Sequence, residues 1–103
     1  MARNRSDSTE IAQGIIDLIG GDTGLSRLRA ARIEALSDGL VFNLMADSMT
    51  TEGIVVIRKV PKGYRLYVVQ LGGWVEARGL DEVKPEDVKA QLWKLIGKKE
   101  PTF

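Results

Sequence analysis

Few side chains in this sequence can do chemistry. Glu86 and Asp87 are adjacent carboxylates. Arg58, Lys59, Lys62 and Arg65 form a basic cluster between Gly53 and Leu71, with no acid among them, and Tyr67 and Trp74 lie in or just past it. The chain has no Cys and no His. Without thiolate or imidazole, zinc fingers, Fe–S clusters and most transition-metal sites are ruled out. Nucleophile systems that depend on a His base are ruled out as well.

The carboxylates do not assemble into a catalytic pair. Neighbouring residues on a helix point about 100° apart, so Glu86 and Asp87 make neither a dyad nor a metal clamp. At the start of a helix they complement its dipole instead. Asp22-Thr23-Gly24 matches the D-T-G triplet of aspartic proteases, but that triplet needs an apolar strand before it, and Gly20-Gly21 precedes it here. A turn or cap role suits Asp22 better. Neither G-x-x-x-x-G-K-[ST] nor G-x-G-x-x-G occurs, so there is no nucleotide-binding signature. No catalytic, cofactor-binding or metal-binding residue is assigned, no cofactor is expected, and the chain reads as a non-enzyme.

The basic cluster is the stronger lead. The formal charge of +1 averages over a basic hairpin and a net acidic remainder. Bulk charge does not mark a nucleic-acid binder. Locally, Lys59, Arg65 and Arg78 beside Tyr67 and Trp74 could hold phosphates and stack bases, as sheet-based single-strand binders do. The alternative is that charges beside a hairpin turn keep it soluble and block edge pairing.

The elements that would position these residues follow from periodicity. A length of 103 residues suits one domain that buries roughly two-thirds of its unfolded surface without a disulfide or metal. Residues 1–7 read as a flexible polar tail and 8–103 as a single domain. Asp7 to Glu10 resembles a capping box. Ile11, Ile15, Leu18 and Ile19 then form a helical stripe, with Ile16 on its flank, and Gly20-Gly21 ends the helix. Leu25 to Leu36 has helix-forming residues, but a helix there sets Arg29 and Arg32 on the side of Leu25, Leu28 and Leu36. Strand, a Ser37-Asp38-Gly39 hairpin loop, and a second strand from Leu40 to Met45 is preferred. Gly53–Val60, Tyr64–Leu71 and Trp74–Arg78 follow as strands, joined by Pro61-Lys62-Gly63 and Gly72-Gly73 turns. After a loop from Leu80, Pro85 opens a helix with Val88, Leu92, Leu95 and Ile96 as its stripe. Gly97 and Pro101 stop it. Trp93 lies off the stripe.

Turn geometry sets strand register. Pairing Val60 with Tyr64 and Leu71 with Trp74 places Ile54, Val56, Val60, Leu66, Val68, Val75 and Ala77 on one face. Both terminal helices can cover that face. The expected fold is α+β: a two-layer sandwich, with an antiparallel meander of four to five strands and the N- and C-terminal helices on one side. The other face then carries Val55, Ile57, Tyr67, Val69, Leu71 and Trp74, with Lys59, Arg65, Glu76 and Arg78 among them, too apolar for an ordinary solvated face. Either the Leu25–Leu36 segment as a helix or the tail to Phe103 covers it, or a partner does. The preferred reading is a protein partner or homodimer, with nucleic acid as the alternative.

No run of 18 apolar residues marks a membrane span, and the N-terminus lacks the apolar core of a secretory signal. A cytoplasmic location without membrane association is the expectation. The stretch A-A-R-I-E-A-L-S-D-G-L-V-F-N-L, followed by G-I-V-V-I-R and Y-R-L-Y-V-V-Q, resembles a group of small uncharacterised phage and prophage proteins. The resemblance is specific around Ala31–Leu44 and Gly53–Val69. It departs at Leu71-Gly72-Gly73-Trp74 and at Pro85-Glu86-Asp87. It implies a bacterial mobile-element origin and a strand reading of the ambiguous segment, and it carries no functional residues.

Overall fold

The computed structural model describes the backbone of residues 2–46, 50–72 and 74–97, and the side chains of residues 10–46, 50–71 and 75–97. Helix α1 (Ala2–Leu18) turns through Gly20, at φ 108°, into the short helix α2 (Gly21–Leu28). Five strands follow: β1 (Ala30–Leu36), β2 (Gly39–Met45), β3 (Thr51–Val60), β4 (Gly63–Gly72) and β5 (Trp74–Val83). A 3-10 turn at Pro85–Asp87 leads into α3 (Val88–Ile96). The strands form one antiparallel sheet in chain order. The fold is therefore α+β, an antiparallel meander with helices from both ends of the chain on one side.

Each helix contributes one apolar stripe. Ala12, Ile15 and Ile19 from the α1 region, Leu25 and Leu28 from α2, and Val88, Leu92, Trp93 and Ile96 from α3 join a single core. The sheet supplies Leu40, Phe42, Leu44, Val55, Ile57, Leu66 and Val68, all buried. Fully burying a side chain of this size stabilises by roughly 1.5–3 kcal/mol, so this face dominates the energetics. α1 packs over β1 and β2, while α3 packs over β4 and β5. The Gln70 amide donates to the Ile96 carbonyl at 3.0 Å, satisfying an acceptor at the end of α3. The radius of gyration, 13.3 Å, is that of a compact chain of this length. No helix among the described residues is long and apolar enough to cross a membrane.

Several details differ from expectation. α1 begins at Ala2, so residues read as a tail are helical. Ala and Arg favour helix, and nothing between Ala2 and Asp7 breaks it. The Leu25–Leu36 segment is neither one helix nor one strand. α2 ends at Leu28, Arg29 turns the corner at φ 55°, and β1 starts at Ala30. The arginines that spoiled a longer helix lie beyond its end. β5 continues to Val83 through the stretch expected as a loop. Pro101 lies outside the described residues, while Gly97 ends α3 at φ 80°, its N–H reaching the Lys94 and Trp93 carbonyls.

Register differs too. Val60 pairs with Gly63 rather than Tyr64, and Gly72 pairs with Trp74. Each is a one-residue shift, and each exchanges the faces of a whole strand relative to β4. Ile54, Val56, Val60, Val75 and Ala77, expected in the core, lie on the opposite face. Val55 and Ile57, expected outside, are fully buried.

Candidate interaction face

Both helical groups pack on one side of the sheet. Among the described residues, nothing packs on the other. Register builds that open face row by row, because directly paired residues point the same way. At one end, Arg58 of β3 pairs with Arg65 of β4. The next row holds Val41, Val56, Tyr67 and Gly79, and the one after it Ala31, Asn43, Ile54, Val69 and Ala77. Leu71 and Val75 close the β4–β5 side, while Met45 and Thr51 close the β2–β3 side.

The apolar rows reach solvent. Tyr67 is 45% exposed and Val75 71%. Val41, Ile54, Val56 and Val69 are half-buried against one another. The Tyr67 ring lies across the glycine of the edge strand: a Cβ on Gly79 would meet Tyr67 Cδ1 at 3.1 Å. An aromatic covering a strand glycine replaces the packing that the glycine cannot supply.

The charged end row is internally neutralised. Arg58 Nη1 donates to Asp38 Oδ1 at 2.7 Å, and Arg65 Nε donates to Asp81 Oδ1 at 2.9 Å. Two arginines directly opposite each other would repel, and an aspartate on either flank offsets this. A shallow depression of about 210 Å³ lies between Val56, Arg58, Arg65 and Tyr67.

Both sheet edges carry a bulge. In β1 the register slips between Ala31 and Glu34, with Arg32 at φ 53°. In β5 it slips opposite Tyr64–Leu66, with Glu82 at φ 55°. A charged residue in the left-handed region at a bulge interrupts the edge ladder, which blunts pairing with another strand.

The residues expected to form one surface are divided. Arg65, Tyr67, Val69 and Leu71 lie together on the open face. Val55 and Ile57 lie in the core. Lys59 pairs with Tyr64 on the helix side, its Nζ 5.2 Å from the ring centroid. Arg78 pairs with Val68, also on the helix side, and its guanidinium holds Glu76 at 2.9 Å. Trp74 opens β5 opposite Gly72, and its side chain lies outside the described residues. The open face gains Val41, Ile54, Val56, Arg58, Val75 and Ala77. A shorter Pro61-Lys62 turn would have assigned Ile54 and Val56 correctly. Asp22 sits exposed in the first turn of α2, and Glu86 and Asp87 sit exposed in the 3-10 turn. Trp93 is buried, and its Nε1 has no hydrogen-bond partner among the described residues.

No family model matches the chain, and neither the curated proteins nor the solved structures contain a significant match.

Proposed function

We propose that this protein is a non-catalytic binding module whose working surface is the open sheet face around Ile54, Val56, Tyr67, Val69, Leu71 and Val75. One observation carries the reading: a contiguous apolar surface on which neither helical layer packs, with Tyr67 45% and Val75 71% exposed. The largest contiguous apolar patch on a chain's surface is often a functional one. We propose further that it serves as an accessory factor of a mobile element.

The test is a photo-crosslinking amino acid placed at Val69 in the full chain, in its native cell. The control places it at Glu86, exposed in the 3-10 turn. The expected outcome is a covalent protein adduct from position 69 and none from 86. No adduct from position 69 overturns the reading.

Nucleic acid is the second reading, favoured by the depression between Arg58, Arg65 and Tyr67. Against it, Lys59 and Arg78 lie on the opposite side, and both open-face arginines already hold carboxylates. Binding of a labelled single-stranded oligonucleotide at low salt that is lost in Arg65→Ala would favour this reading over the first.

A further inference from the structure

We infer that the open face is closed by a second copy of this chain, packed sheet on sheet about a two-fold axis that runs across the strands. This rests on the binding reading above and names its occupant. Three observations converge on it.

The first is the state of the edges. A second copy could also extend the sheet by adding its edge strand to β1 or β5. Each edge carries a bulge at a charged residue with positive φ, Arg32 in the middle of β1 and Glu82 near the end of β5, while Trp74–Leu80 of β5 keeps an unbroken register with β4. Edge pairing is blunted at those points, and the largest apolar surface left is the face, where Asn43 and Glu34 are the polar members of the central rows.

The second is area. Five strands spaced ~4.8 Å apart, with rows spanning ~20 Å along them, give a face of roughly 500 Å² in projection. Two such faces bury roughly 1,000 Å², the lower bound for a specific association. The formal charge of +1 leaves little repulsion between copies.

The third is charge placement, and it selects the axis. Asp38, Arg58, Arg65 and Asp81 run along one end of the face. An axis parallel to the strands sets β3 on β3 at the same end, so that Arg58 meets Arg58. An axis across the strands sets that charged end against the other copy's far end. The central rows then interlock: Val56 of one copy faces Ile54 of the other, and Tyr67 faces Val69. The ion pairs then lie at the end of the interface, over the other copy's Leu71 and Val75, rather than at its centre.

Sedimentation equilibrium of the purified full chain tests the occupant. The expected result is a species of twice 11.3 kDa across the micromolar range. Val69→Asp and Val56→Asp should each weaken the dimer by at least about tenfold, the effect of ~1.4 kcal/mol. Arg65→Ala should leave it intact. Circular dichroism and a cooperative melt verify that the Asp variants are folded. A wild-type chain monomeric throughout, or a dimer that survives both Asp substitutions, overturns the proposal.

The absence of Cys makes the axis testable. A mixture of Tyr67→Cys and Val69→Cys copies should couple through a short bismaleimide, and Arg58→Cys should not couple to itself. The reverse pattern overturns the axis. A monomer that still gives a position-69 adduct in cells sinks the dimer alone and leaves the binding reading standing, with a different protein as occupant. An intramolecular adduct with residues 98–103 would instead mean that the chain covers its own face, overturning both.

Discussion

Val55 and Ile57 point into the core with no exposed surface, while their neighbours Ile54 and Val56 point to the open face. These pairs have the same kind of side chain, on the same strand, one residue apart. The helix-covered face and the open face of β3 therefore differ in packing and not in composition. Apolar content alone does not tell which face of a strand is core. What separates the faces here is register, and a one-residue slip exchanges them. The open face of β3 carries β-branched side chains of the same kind as those that hold the core.

The sharpest way to break this comparison is to truncate one residue on each face. Phe42, fully buried on the helix side of β2, meets α-helical side chains across the core. Phe42→Ala should cost about 3–5 kcal/mol in urea unfolding. Val41→Ala, its neighbour on the open face, should cost under about 1 kcal/mol at protein concentrations low enough to exclude self-association. Equal costs would mean that the open face is packed within the monomer.

Gly39 gives the next largest effect and bears on what sets the register. A Cβ there would meet the Ile57 carbonyl oxygen at 2.1 Å and the Arg58 Cα at 3.0 Å. The β1–β2 hairpin tip lies hard against β3, held by the Lys59 N–H donating to the Asp38 carbonyl at 2.6 Å. Gly39→Ala has to move backbone and should cost about 1–3 kcal/mol. Hydrogen exchange should be fastest at the Lys59 and Arg58 amides in that variant. An unchanged protection pattern would show that the close approach is not holding β2 on β3.

Much of the architecture was legible in the sequence. The stripe Val88, Leu92 and Ile96 between Pro85 and Gly97 identifies α3, and Ile15 and Ile19 identify the buried side of the α1 region. The β3–β4 and β4–β5 hairpins follow from their turn residues. The sequence leaves open whether the second face is covered; Arg65, Tyr67, Val69 and Leu71 share one face of β4 in the structure, while Val55 and Ile57, expected beside them, are in the core. The strand faces of β3 and β5 were not legible, for a physical reason. Gly63 looks like a turn glycine, and that reading lengthens the turn and slips β3 by one residue. Its φ of 142° instead serves a close approach: a Cβ would meet the Val83 carbonyl oxygen at 2.4 Å. Val83 belongs to a stretch with strong loop signals, Asp81-Glu82 before it and Lys84-Pro85 after it. The contact that explains Gly63 is thus long-range and invisible to local pattern. With apolar residues on both faces of β3, no polar alternation corrected the slip.

Trp93 sharpens the core side of the comparison. Its ring is buried in α3's contact with the sheet, and Nε1 finds no acceptor among the described residues. Leaving a buried donor unsatisfied costs about 1–3 kcal/mol. Trp93→Phe removes that donor along with part of the ring, so the relief and the lost packing oppose each other. The variant should fall within about 1 kcal/mol of the wild type, against about 2–5 kcal/mol lost by the neighbouring Leu92→Ala. A large loss in Trp93→Phe would mean that the indole N–H is satisfied in solution.

The smallest effect belongs to the charged row at the end of the open face. Arg65 and Asp81 are 55% and 78% exposed, so their ion pair sits in high dielectric and is screened by salt. A double-mutant cycle with Arg65→Ala and Asp81→Ala should return a coupling of about 0.2–1 kcal/mol at low salt, and less at high salt. The same holds for Arg58 with Asp38. A row this weak cannot anchor β5 to β4; the ladder and the core do that. Its effect is on placement: it neutralises two facing arginines and leaves charge only at the margin of an apolar surface. A coupling well above this range that persists in high salt would mean that the row is buried under the conditions measured. In the proposed two-fold arrangement the row lies at the end of the interface, away from the other copy's arginines. Such a result would therefore point to an axis along the strands, with the arginine rows of two copies forced together.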